Sequence, residues 1–217
     1  MEILKKIKQN YIKHLFIYKV YRIFKYKPLF SHSSFGEEIL VNRILKKKHG
    51  FYIDVGALNP KVGSLTFLLY KKGWRGINFD LTKSNIQLFR AFRKRDRSVQ
   101  LAISNKKASV TSYIFDPGSG LNSLEKKYAD KWKKKLFKSY HTEKIQSETL
   151  NSVIDKFNIP IDFDYLNIDV ESHELKVLAG LDFNKHRPTL ITIEIHCSGL
   201  EEIINNEIYK FLKKKRN

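Results

Sequence analysis

The stretch Phe51–Asp80, FYIDVGALNPKVGSLTFLLYKKGWRGINFD, decides the fold. Phe51 to Val55 is a short run of apolar and aromatic residues, the pattern of a buried strand. It runs into Asp54-Val55-Gly56-Ala57, a carboxylate followed by a tight glycine turn. Leu65, Leu68, Leu69 and Tyr70 then recur at helical spacing, with Gly73 as the stop signal. Gly76 to Phe79 reads as a second strand ending in Asp80. Strand, crossover helix and strand make a parallel unit whose carboxyl edge is where open α/β folds bind ligands.

Asp80 lies at about the spacing at which nucleotide-binding folds place an acid against ribose hydroxyls. There is no GxGxxG, and Pro60, Gly63 and Ser64 form no phosphate cradle of Walker type. NAD and ATP are therefore disfavoured, and a nucleoside cofactor without phosphates fits better. S-adenosylmethionine is the candidate, with Asp54, Gly56, Ala57 and Asp80 as its contacts. Ile103, closing a third strand, is a further candidate.

Outward from this core the alternation continues. Ser34 is expected to cap a helix through Phe35, Ile39, Leu40, Ile44 and Leu45. Asn85 to Arg95 reads as helix, Val99 to Ile103 as the third strand and Val110 to Phe115 as an extended segment. Asp116 to Ser123 is rich in turn formers, and Leu124 to Lys138 is a basic helix or mobile segment carrying Trp132. Helix Thr149 to Phe157, strand Phe163 to Val170, helix His173 to Ala179, strand Leu190 to Ile195 and helix Leu200 to Lys213 complete the pattern.

The later strands carry acids. The segment FDYLNIDVESHELKVLAG, 163–180, brings Asp169 to the carboxyl edge with Glu171, His173 and Glu174 beyond it. His and carboxylates are the usual agents for taking a proton from a hydroxyl near neutral pH, although His173 and Glu174 also suit a helix start. In ITIEIH, Glu194 and His196 alternate with Ile193 and Ile195, so both occupy one face. An acid in an otherwise apolar strand is costly unless partnered, which marks Glu194 as a pocket residue. Asp169, Glu194 and a nearby histidine can also ligate a divalent cation. The assignment carried forward is a site without metal, with Asp169, Glu171, His173 and Glu194 as catalytic candidates.

Composition sets the outer limits. The 217 residues suit one domain, and 42% hydrophobic content supports a core. A formal charge of +19 favours polyanionic surroundings without choosing among phosphate, nucleic acid and anionic lipid. The lone Cys197 excludes an internal disulfide and is compatible with the cytoplasm. In residues 1–33, Ile3/Leu4, Ile7, Tyr11/Ile12 and Leu15/Phe16 alternate with lysines. That pattern makes a basic amphipathic arm able to touch an anionic membrane surface or to pack on its own domain; Lys13, Lys19, Arg22, Lys25 and Lys27 rule out a membrane span.

Assembled, these segments resemble the FkbM family of S-adenosylmethionine-dependent methyltransferases. The likeness runs from about Ser34 to Ile195 and includes SFGEEILVNRIL, FYIDVGALNP, SLTFLLYKKGWRGINFD, LAIS, ETLNSVI, FDYLNIDVESHELKVLAGLDF and RPTLITIEI. It implies a Rossmann-like class I methyltransferase fold over 34–217 and O-methylation of sugar hydroxyls in glycans or of related small molecules. By position, Asp54, Gly56 and Ala57 match the family's cofactor loop, Asp80 its ribose acid, Asp169, Glu171 and Glu174 its acidic signature, and Glu194 the acid of the late strand. Leu58, Leu65, Leu81 and Ser172 stand where the family usually has Asn, Asn, Pro and Gly. The chain ends in LKKKRN where class I enzymes continue into a last strand pair, so the expectation is a sheet short of that pair. RNA methylation is the alternative, from the charge and from Tyr128, Trp132 and Tyr140 among lysines. A degenerate, non-catalytic relative is the remaining one.

Overall fold

The computed structural model describes residues 31–215, most of the compact unit His32–Asn217. The basic arm assigned to 1–33 lies almost wholly outside the described residues. The elements run α1 (Glu37–Ile44), β1 (Phe51–Val55), α2 (Phe67–Lys71), β2 (Arg75–Asp80), α3 (Lys83–Phe92), β3 (Arg97–Gln100), β4 (Ala102–Ile103) and β5 (Ala108–Ile114). There follow α4 (Lys126–Leu136), β6 (His141–Glu148), α5 (Leu150–Lys156), β7 (Tyr165–Ile168), α6 (Glu174–Ala179), β8 (Leu190–Ile193), α7 (Leu200–Asn205) and α8 (Glu207–Lys215).

The main sheet has five strands in the order β3-β2-β1-β7-β8, all neighbours parallel. Parallel strands need crossovers, and the helices cover both faces. Period-two alternation assigns the faces. Ile53 and Val55 of β1 join Ile77, Phe79, Leu166 and Ile168 in a core closed by α5 and α6. Tyr52, between them, packs with Trp74, Leu69 and Val41 on the opposite side. This is the Rossmann-like arrangement expected, and among the described residues β8 is an edge strand.

Some boundaries differ from the sequence reading. The helix after Ser34 starts from Gly36, at φ 86°, and not from a serine cap. The third strand is two: β3 pairs with β2, and beyond Leu101 the chain leaves the main sheet so that β4 pairs with β6. The extended segment after it is β5, antiparallel to β6, a strand the sequence hid; β4, β6 and β5 form a second, three-stranded sheet. The final helix breaks into α7 and α8 at Asn206, whose backbone is extended. At α5, by contrast, Thr149 caps as its type suggests, accepting from the Ser152 N–H at 3.1 Å.

Candidate active site

Strands β1, β2 and β7 end together at one edge of the sheet, which aligns Asp54, Asp80 and the segment after Asp169. The turn at Gly56 lets β1 cross beneath its neighbours: the Gly56 and Ala57 N–H groups both donate to the Phe79 carbonyl at 3.0 Å. Gly56 has φ 84°, and a Cβ there would overlap the carbonyl oxygen of Asp169. Only glycine allows this approach. It opens a cleft of about 840 Å³, mouth included, lined by the Asp54–Leu58 turn, Asp80, Ile103, Asn122, Asp169, Glu171 and His173 among others.

At one end, Asp54 is buried and bonded at both oxygens. Its carboxylate accepts from the Thr66 hydroxyl at 2.7 Å and from Asn167 Nδ2 at 2.8 Å, and burial raises its pKa. Asp54 therefore braces the turn from behind. Thr66 in turn accepts from Arg93 Nη1 at 2.7 Å, while the same guanidinium donates to Ser64 Oγ at 2.6 Å and to the Pro60 carbonyl at 2.7 Å. Arg93 has no exposed surface, so a buried cation clamps the 60–66 loop against β1.

Asp80 is also nearly buried, and burial raises its pKa. Its Oδ1 accepts from the Thr82 N–H and hydroxyl, each at 2.8 Å, and from Asn85 Nδ2 at 3.1 Å; Oδ2 accepts only the Leu58 N–H, at 2.9 Å. A carboxylate oxygen has two lone pairs, so Oδ2 keeps capacity for one hydroxyl of a ligand. Leu58, held by this bond, has φ 51°, a left-handed position that asparagine occupies more easily than leucine. Ile103 is buried at the cleft wall.

The other end is acidic. Burial and the neighbouring Glu194 push Asp169 up to about 8. Burial, and after it the charge of Asp169, puts Glu171 at about 7; burial and the charge of Glu171 do the same for Glu194. Glu194 and His196 lie just past β8, where the Glu194 N–H bonds the Ile168 carbonyl at 3.0 Å. His196 Nε2 is 3.2 Å from Glu171 Oε2 and 3.4 Å from Glu194 Oε2. Its ring stacks on Tyr128, whose hydroxyl donates to Glu171.

His173 is buried with both ring nitrogens occupied, Nδ1 at 2.6 Å from Glu125 and Nε2 at 3.0 Å from Ser104 Oγ. Burial lowers its pKa against the pull of Glu125. The neutral ring then donates from Nδ1 and accepts the Ser104 hydroxyl at Nε2. That arrangement orients α4 and α6 and leaves neither nitrogen open to a substrate. Its side chain does not cap α6. Glu174 accepts from the Val170 and Ser172 N–H groups at 3.2 and 3.1 Å, holding a turn in which Glu171 and Ser172 have φ 56° and 76°.

The structure thus brings Asp169, Glu171 and Glu194 together and sets Asp54, Gly56, Ala57, Asp80 and Ile103 around the same cleft. Sequence reasoning missed Arg93, Thr66, Asn167 and Glu125, and named Tyr128 only as a residue for stacking on RNA. For Asn167 there was a signal, its place two residues before Asp169; one arginine among the four of 90–97 offered none. No helix among the described residues is long and apolar enough to cross a membrane. No curated protein and no solved structure matches the chain. The family model for the methyltransferase FkbM domain does match, over residues 54–216, from the first acid of the cleft through α8, and the chain belongs to that family of methyltransferases.

Proposed function

We propose that the chain moves a methyl group from S-adenosylmethionine to a hydroxyl of a saccharide or related small molecule. The observation that carries this reading is one cleft with unlike ends: a glycine turn and a ribose-type acid at one, Asp169 and Glu171 of raised pKa at the other, with Glu194 beside them in an adjoining cleft. Bound there, the cofactor supplies a methyl already activated on a sulfonium.

The residues present fit such a donor. Oδ2 of Asp80 has one free acceptor position for a ribose hydroxyl, and the Asp54–Leu58 turn lines the cleft beside it. Asp54 and Arg93 keep that turn in place. At the far end an acceptor hydroxyl must lose a proton as its oxygen takes the methyl, and a carboxylate titrating near neutrality is a better base than an ordinary one. Glu194 and Glu171 are suited to receive that proton, with Asp169 sharing the charge.

Calorimetry of the full chain with S-adenosylmethionine tests the donor: saturable binding is expected, weakened by Asp80→Ala, and no binding by folded protein sinks the proposal. Labelled methyl transfer to saccharide acceptors then tests the acceptor class. One observation favours a second acceptor, RNA. Helix α4, whose Tyr128 bonds Glu171, also carries Lys127, Lys131 and Lys134 on its exposed surface and Lys135 over the Trp132 ring at 4.5 Å. Label in RNA and none in saccharide replaces the acceptor assignment.

A further inference from the structure

The structure assigns a divalent-cation site to Glu171, Glu194 and His196, where the acidic end of the cleft meets an adjoining one. One donor atom from each lies within 4.8 Å of the other two. Ligands of a bound Mg²⁺ or Mn²⁺ sit about 2.0–2.2 Å from the metal, so neighbouring ligand atoms stand roughly 3 Å apart. Small side-chain adjustments bring these three donors to that spacing. The site is built by the fold: Glu194 N–H on the Ile168 carbonyl keeps the ends of β7 and β8 in step, and their following loops supply all three groups.

Two observations separate this cluster from an ordinary acidic patch. The chain has 41 lysines and arginines against 22 acids, yet among the described residues neither Glu171 nor Glu194 is paired with a lysine or arginine. Lys176, on α6 close by, is held by Glu125 at 2.6 Å. Moreover, Glu194 meets the Asp169 carboxyl, but its Oε2 atom is shut off from solvent and receives no hydrogen bond, facing His196 at 3.4 Å. A shielded carboxylate oxygen without a donor costs free energy that a cation would recover.

Two carboxylates and one imidazole, with the remaining positions left to water or substrate, suit Mn²⁺ or Mg²⁺ better than a thiophilic ion. Tyr128 donates to Glu171 Oε2, the oxygen that faces His196, and so orients that ligand. The cation would hold the acceptor oxygen and make its proton easier to remove; with Glu171 and Glu194 then engaged as ligands, Asp169 takes the place of the base. That role rests on the methyl-transfer reading; the site itself does not.

Mn²⁺ is titrated into the full chain, with free ion read by electron paramagnetic resonance and S-adenosylmethionine affinity measured on the same samples. One Mn²⁺ per chain is expected, with Glu194→Gln and His196→Ala each weakening it tenfold or more while cofactor affinity is retained. Folded protein that binds the cofactor and takes up no Mn²⁺ at millimolar concentration overturns the cation site alone, as does Mn²⁺ binding unchanged in both variants. Site-dependent Mn²⁺ binding without cofactor binding upholds the site and overturns the donor assignment.

Discussion

Ser172→Gly is expected to stabilise the protein. Ser172 sits at φ 76°, directly after Glu171 at φ 56°, in the turn that carries the acids of the cleft. A left-handed backbone costs an L-residue about 1–2 kcal/mol, and glycine escapes that penalty. Glycine also gives the unfolded chain more freedom, which costs about 0.5–1 kcal/mol. The difference leaves a gain of about 0.5–1 kcal/mol, or a rise in Tm of about 1–4 °C for a chain of this length. Differential scanning calorimetry of wild type, Ser172→Gly and Ser172→Ala separates backbone from side chain. Alanine keeps the Cβ and is expected to show no gain. An unchanged or lower Tm in the glycine variant, or an equal rise with alanine, refutes the strain argument.

Arg93→Met removes the clamp on the 60–66 loop and leaves the buried Asp96 carboxylate without the guanidinium 3.8 Å away. Urea unfolding is expected to show a loss of about 3–5 kcal/mol, partly restored by adding Asp96→Asn; a loss under about 1 kcal/mol contradicts the clamp. The raised carboxylates set a pH dependence. A carboxyl group whose folded pKa exceeds its unfolded one favours the fold while protonated, so the contribution of Glu194 is full below about 4.5 and is lost as pH rises through about 7. Glu194→Gln is therefore expected to raise stability more at pH 8.5 than at pH 5.5, by about 1–2 kcal/mol once solvent screening of this partly exposed side chain is allowed for; equal gains at both pH values count against the shift.

The readable parts of this fold are those where pattern and topology agree. β1, β2 and β7 are buried on both faces, so their apolar runs stand out, and each delivers its acid to the same edge. That is why Asp54, Asp80 and Asp169 could be placed in one cleft before any contact was known. β6 was not readable because HTEKIQSE buries only Ile145, Ser147 and Glu148, leaving no alternation of apolar residues. The break at Leu101 was equally silent, since a strand that changes sheets keeps its extended pattern. Ser172 stood out as a departure from the family, and its positive φ supplies the physical reason for glycine there. Glu125 and Tyr128 join the site from more than forty residues away, as the separations of their bonds to His173 and Glu171 show. No local pattern encodes such a meeting.

The ties between the 116–138 insertion and the segment after β7 bear on how this enzyme can diversify. The Ser123 hydroxyl holds the Glu171 carbonyl at 2.6 Å, Tyr128 holds the Glu171 carboxylate, and Glu125 holds both His173 and Lys176. Loops that choose substrates often drift freely because they stand apart from the chemistry. Here the two are joined, so a substitution in the insertion also shifts the carboxylates after β7. On the proposed methyl-transfer reading, a new acceptor specificity therefore requires paired changes on both sides of that joint.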